Sequence, residues 1–301
     1  MAQPMRFGLV GTGHWARIAH APALASTDGV EFAAVWGRNQ LAAAELAADY
    51  QVTAYPDMAE FLGAVDAVAF AVPPDVQAAA AVRAASAGRH LLLEKPVAAS
   101  QPAADELARA AADAGVASVV FFTFRFRADV RAWLDTVARQ GPWSGGSATW
   151  LGSALQPGSP FNTPWRQDKG GLWDLGPHAV SLLWPVLGPV TAVTADAGRA
   201  DLTHLVLHHD GGATSTVTVT GGAPEAADGF DVWLWGQAGR SAAPTRYGDS
   251  VAALRTALGE LLASARSGQE HPCGIRFGRD VGWVIAQAQD QLDALPRLPT
   301  G

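Results

Sequence analysis

Over the first 122 residues, short apolar runs alternate with stretches that read as helix, and this alternation limits the chain to few architectures. The runs are Arg6 to Val10, Glu31 to Trp36, Val65 to Val72, His90 to Leu93 and Val116 to Phe122. Between them, Trp15 to Ala25, Gln40 to Tyr50, Val76 to Ala87 and Pro102 to Ala114 read as helices. Strands that are apolar on both faces and separated by helices imply a parallel sheet covered on both sides. The expectation is an α/β chain whose first domain, residues 1–122, is doubly wound.

The pattern then changes. A helix at about Ala128 to Gln140 and a stretch rich in Gly, Pro and Ser lead into alternating segments at Ser147 to Ala154, Val190 to Ala197, Leu202 to His209, Thr214 to Thr220 and Phe230 to Trp235. Period-two alternation with a turn such as Gly211-Gly212 indicates antiparallel strands. Val251 to Ser267 and Asp280 to Leu292 read as closing helices. Residues 123–301 are therefore expected to form an α+β domain with an open, mostly antiparallel sheet, serving substrate binding and oligomerisation, its last helix packing back on the first domain.

Composition narrows the function. The chain of 301 residues carries 21 Lys and Arg against 28 Asp and Glu, a net charge of -7, and so lacks the basic stripe of a nucleic-acid binder. Cys273 is the single cysteine and forms no internal disulfide. Met1 to Pro4 leave no room for a targeting segment ahead of the first apolar run, and no run of about 18 apolar residues offers a membrane span. A cytoplasmic protein with no membrane partner is expected.

Gly11-Thr12-Gly13-His14-Trp15-Ala16 falls at the first strand-to-helix junction. There, backbone N–H groups and the positive end of a helix converge where a pyrophosphate binds, as in Rossmann domains. Gly11 permits the tight turn, Gly13 admits the phosphate, and Ala16 is the third small position. Alone such a pattern is weak; its position gives it weight. The second strand ends Val35-Trp36-Gly37-Arg38-Asn39, with no carboxylate to repel a 2′-phosphate. Arg38 suits that phosphate and can stack on adenine, so NADP(H) is the expected cofactor, with use of NAD(H) left open.

Glu94-Lys95-Pro96 ends a central strand, where ligands bind in open α/β sheets. Lys95 would then stabilise the oxygen that gains charge during hydride transfer. In Gly170-Gly171-Leu172-Trp173-Asp174-Leu175-Gly176-Pro177-His178, proline favours the first turn of a helix, which puts His178 in that turn and Asp174 just before it. A histidine there is biased towards the neutral form, as suits a proton acceptor. In isolation the pair reads as an N-terminal cap and a core histidine; the diglycine and the cofactor half-site favour chemistry. His204 and His208 share a strand face but lack further ligands, so no metal is expected. Arg125 and Arg127 read as anchors of the domain junction, with contact to cofactor or substrate as the alternative. Trp165 and Trp173 are candidates to stack on a sugar ring.

Together, Gly11-Thr12-Gly13 with Ala16, His20-Ala21-Pro22, Glu94-Lys95-Pro96, Trp165-Arg166 and Gly170-Gly171 through His178 resemble the glucose-fructose oxidoreductase, inositol dehydrogenase and MocA family. The resemblance is close over about residues 5 to 190 and looser beyond. It implies an NAD(P)-dependent oxidoreductase acting on sugars, cyclitols or related alcohols and ketones, with Lys95, Asp174 and His178 as the catalytic group. It also implies that Trp165 and Arg166 reach the cofactor, that the turn holding Val72 and Pro73 passes along it, and that Lys95-Pro96 is often cis. The chain departs from the family in carrying Pro74 and Gln77 where relatives commonly have Asn and His. A homodimer or homotetramer through the C-terminal sheet is expected. Two other readings stay open: a non-catalytic NAD(P)-sensing regulator of the same fold, and an enzyme for a non-sugar diol or imine.

Overall fold

The computed structural model describes residues 3–245 and 248–295. The chain divides into two compact units, Met1–Ala128 with Gly248–Asp280, and Asp129–Tyr247 with Val281–Gly301.

The first unit is built on a parallel six-stranded sheet in the order β3-β2-β1-β4-β5-β6. Its strands are β1 (Met5–Val10), β2 (Val30–Trp36), β3 (Thr53–Ala54), β4 (Ala67–Phe70), β5 (His90–Glu94) and β6 (Ser118–Phe121). Helices α1 (Ala21–Ser26), α2 (Gln40–Asp49), α3 (Met58–Gly63), α4 (Pro74–Ser86) and α5 (Gln101–Asp113) connect them. Phe7, Leu9, Val68, Phe70, Leu91, Leu92 and Val119 are fully buried, as two-sided coverage of the sheet requires. The strand order reverses between β1 and β4, so the loops leaving Val10 and Phe70 open the crevice in which this kind of sheet binds ligands. Two-residue β3 and six-residue α3 escape sequence periodicity because they are shorter than the windows that reveal it.

The second unit contains α6 (Ala128–Gln140, of which Ala128 falls in the first unit), α7 (Pro164–Leu187) and a second sheet in the order β12-β11-β7-β10-β9-β8. Its strands are β7 (Trp143–Leu151), β8 (Val190–Ala197), β9 (Thr203–His209), β10 (Thr214–Thr220), β11 (Gly229–Gly236) and β12 (Gly239–Ala242). All neighbours run antiparallel except β7 and β10, which are parallel. Alternation along the strands turns Ala148, Trp150, Leu205, Leu207, Val217 and Val219 to the buried face, where α7 packs, and leaves His204, Val206, Thr214 and Thr216 exposed. Polar, four-residue β12 carried no strand signal of its own.

Helix α8 (Ser250–Ser267) corrects the sequence reading, which placed it with the second domain. It packs on β5, β6 and α1 of the first unit, burying Leu254, Leu258, Leu261 and Leu262. Its heptad-like apolar face says that it must cover something, but not which sheet. Helix α9 (Ile275–Asp293) begins in the residues of the first unit and ends in those of the second. No helix among the described residues is long and apolar enough to cross a membrane.

Buried His209 and half-buried His90 give stability a pH dependence. Burial holds His209 below its ordinary value of 6.5, against the raising effect of its hydrogen bond to the Gly188 carbonyl. Burial likewise lowers His90, against nearby Asp66. A lowered folded value means that the unfolded chain binds more protons below about pH 6.5, so this stability is present above that pH and is lost as pH falls through the folded values. The melting temperature is expected to fall between about pH 7 and pH 5, and His209→Gln to flatten part of that slope. An unchanged slope in the variant would exclude His209 as a contributor.

Candidate active site

In the first unit, Gly11 leaves β1 at φ +126°, and a Cβ at this position would run into the Ala71 carbonyl oxygen. A glycine is required because the β1 and β4 loops touch, the Ala71 N–H donating to Val10 O at 2.8 Å, while on the other side the Gly11 N–H donates to Trp36 O at the end of β2 at 2.9 Å. Val72 lines the same approach, and Pro73 caps α4. Gly13 is exposed, with nothing within 4 Å of the direction a Cβ would take, which is the open approach a phosphate needs. The helix that follows starts at His14 and runs through a π turn over Ala16–His20, a distortion frequent at functional sites. Arg17 ties this loop down through Thr12 O at 3.2 Å and Ala42 O at 3.3 Å. The loop thus fits a dinucleotide phosphate: glycines where the backbone is crowded, open space where the ligand must come.

Trp15 is turned towards the Glu-Lys-Pro turn. Its indole N–H donates to Glu94 Oε1 at 2.6 Å, and His20 Nε2 lies 2.9 Å from the same oxygen. Glu94 therefore joins the glycine-loop helix to the end of β5. Gln77, fully buried, holds the turn from behind. Its side-chain N–H₂ donates to the carbonyls of Glu94, Pro96 and Val97 at 2.8, 3.3 and 3.2 Å, while its Oε1 accepts the Glu94 N–H at 2.8 Å. Lys95 is half-buried and its bond to Pro96 is cis. At the end of β2, Gly37 is buried against Thr12, Arg38 is exposed, and Asn39 caps α2 by accepting the Ala42 N–H at 3.1 Å. Asn39 is thus engaged in the helix cap. Arg125 and Arg127 lie over the rings of Phe277 and Phe124 within this unit.

In the second unit, α7 is broken at Gly170, which takes φ +68° and ψ -171°. The helix restarts at Gly171, whose N–H donates to both carboxylate oxygens of Asp201 at 2.9 Å, and Asp201 also accepts the Gly221 N–H at 2.5 Å. The break corrects the expected position of His178. Asp174 lies in the first turn after it, and His178 one turn further in, with Pro177 inside the helix. The helix dipole acts mainly within its first turn, so it bears on Asp174 rather than on the imidazole. The same spacing puts both side chains on one helix face.

Arg166 donates through Nε to Asp174 Oδ2 at 2.8 Å, and its guanidinium lies 4.6 Å from the Trp165 ring. Arg166 is thus the partner of Asp174, a role the sequence did not suggest. His178 is 7% exposed and stacks on Trp150 with ring centres 5.3 Å apart. Trp173 is buried, and its indole N–H donates to Gln289 at 3.0 Å, which removes it as a sugar-stacking candidate. His204 pairs with Thr218 across the exposed sheet face at 3.0 Å.

Asp201, Gln77 as a clamp, and Trp150 were missed from sequence. Gln77 was visible only as a departure from family pattern, and Asp201 sits 30 residues from the amide it caps. Asp201→Ala is expected to cost about 1–3 kcal/mol by leaving the Gly171 and Gly221 amides unmet, with Asn restoring part, as read by urea unfolding. Stability equal to wild type would show the cap to be dispensable.

Residues 5–122 match the oxidoreductase family with NAD-binding Rossmann fold, and residues 141–241 match the GFO/IDH/MocA C-terminal domain. D-xylose 1-dehydrogenase (NADP(+)) 2 of Haloferax volcanii is 30% identical over 73% of this chain and 71% of its own. UDP-N-acetylglucosamine 3-dehydrogenase of Acidithiobacillus ferrooxidans is 38% identical over 34% of this chain and 32% of its own. Across that enzyme and two other curated relatives, the chain spans 32%, 54% and 58% of their lengths. Among solved structures, GenD2 from gentamicin A biosynthesis in complex with NAD shares the fold at a TM-score of 0.85 and 20% identity, covering 97% of this chain and 95% of its own. With both halves matched in order, and the glycine loop, the Glu-Lys-Pro turn and the Asp/His helix in place, the chain belongs to the Gfo/Idh/MocA oxidoreductase family.

Proposed function

We propose that the chain is an NAD(P)-dependent oxidoreductase, preferring NADP, that acts on a hydroxyl- or ketone-bearing carbon of a sugar, cyclitol or related small molecule. The observation that carries this reading is the Asp174–His178 pair, one turn apart on a buried helix face, with Asp174 already paired to Arg166. A pure binder has no need of Lys95, Asp174 and His178 together. When bound, the nicotinamide supplies or accepts the hydride. His178 takes or gives the proton at the substrate oxygen, Lys95 stabilises the charge on that oxygen, and Asp174, held by Arg166, orients. The names of the xylose and UDP-N-acetylglucosamine dehydrogenases support a sugar-like alcohol as substrate. Trp165, with Arg166 on its face, is a hydrophobic surface that suits a sugar ring or the cofactor. The same reading includes a cytoplasmic location, and a homodimer or homotetramer formed through the exposed sheet face that carries Val206 and Trp235.

Preference for NADP rests on exposed Arg38 and the lack of a carboxylate at the end of β2. Titration with NADPH and NADH, followed by quenching of tryptophan emission, should show tighter NADPH binding. Arg38→Ala should weaken NADPH about tenfold, the scale of one charged phosphate contact, and NADH little. Equal losses for the two nucleotides would remove Arg38 as the phosphate reader, and binding of neither would overturn the cofactor assignment.

A further inference from the structure

We propose that Trp150 is a positioning residue for His178, setting the plane of its imidazole, and that Phe230 supports it; the proposal rests on the role given to His178 above. The helix restricts the first side-chain torsion of His178, but the second, about a bond to a planar ring, has a broad minimum and does not fix the ring plane. Something outside the residue must fix it if a nitrogen is to meet a substrate oxygen reproducibly. Trp150 supplies a flat wall: the two rings are 5.3 Å apart between centres and inclined by 25°. The wall is itself held. Trp150 and Phe230 are direct partners in the register of β7 and β11, and their rings stack at 4.6 Å and 18°. All three side chains are under 9% exposed, so none turns freely. Two antiparallel strands thereby transmit their register to one imidazole plane, which an aliphatic side chain of similar volume would not do.

The test compares Trp150→Leu, Trp150→Phe and Phe230→Leu in the full-length protein. Trp150→Leu should lower kcat about tenfold or more, since small misplacement of a reacting group is costly, with dinucleotide Kd within about twofold of wild type. Trp150→Phe, which keeps a flat ring, should recover most of the loss, and Phe230→Leu should show a smaller one. In His178→Ala, adding Trp150→Leu should reduce kcat no further. A second readout does not depend on turnover: in wild type the His178 ring protons should resonate upfield from indole ring current, and this shift should vanish in Trp150→Leu. Wild-type kcat in Trp150→Leu, equal losses in the Leu and Phe variants, an undiminished loss on the His178→Ala background, or no upfield shift in wild type would each overturn the proposal. Failure of the functional reading has a different signature, full activity in His178→Ala alone.

Discussion

Replacing His178 by alanine is expected to lower turnover at least about 10²-fold while leaving dinucleotide affinity near normal, because acid–base catalysis contributes on that scale. The separation is built into the chain. His178 belongs to α7 of the second unit, whereas the glycine loop follows β1 of the first, so the phosphate contacts of that loop are expected to survive the substitution. A folding defect is distinguished by thermal unfolding, since removing a buried ring from its stack on Trp150 also leaves a cavity. Nucleotide binding and a cooperative melt, together with lost turnover, assign the loss to chemistry. Unchanged turnover would remove His178 from the mechanism.

The second large effect is expected at Gly11. Alanine there would have to adopt φ near +126°, a region essentially reserved for glycine, and its Cβ would push against the Ala71 backbone. Strain of about 1–3 kcal/mol plus displacement of the loop should weaken dinucleotide binding by about 10²-fold and lower the melting temperature. Gly13→Ala is the informative contrast. Nothing lies within 4 Å of its Cβ direction, so the fold should tolerate the methyl group while the ligand does not. Gly13→Ala should therefore keep the wild-type melting temperature and lose affinity. Equal melting losses in both variants would mean that the two glycines serve the fold alone.

The parallel sheet was readable because its buried strands announce themselves twice, as apolar runs and by the helices between them; in the second unit, alternation alone put the ends of β8 and β10 on the predicted residues, and α6 fell on its predicted span. What was not readable depends on distance. The helix restart at Gly171 needs Asp201, and the Pro177 signal pointed to a helix start six residues too late because this proline sits inside the restarted helix rather than in the first turn that proline favours. Arg166 could be placed near a cofactor by resemblance, but its pairing with Asp174 is a fact of side-chain direction. Trp150 carried only the signal of an inward-facing strand residue, identical to that of any core aromatic.

The return of residues 248–280 to the first unit has a consequence for how the protein is made. Every residue of the glycine loop and of the Glu-Lys-Pro turn leaves the ribosome early, yet the helix that covers β5 and β6 follows only after the whole of the second sheet. During that interval the nascent parallel sheet carries an uncovered apolar flank, a state open to aggregation and to chaperone capture. A gene fragment ending at residue 128 therefore encodes the nucleotide loop without the helix that covers β5 and β6.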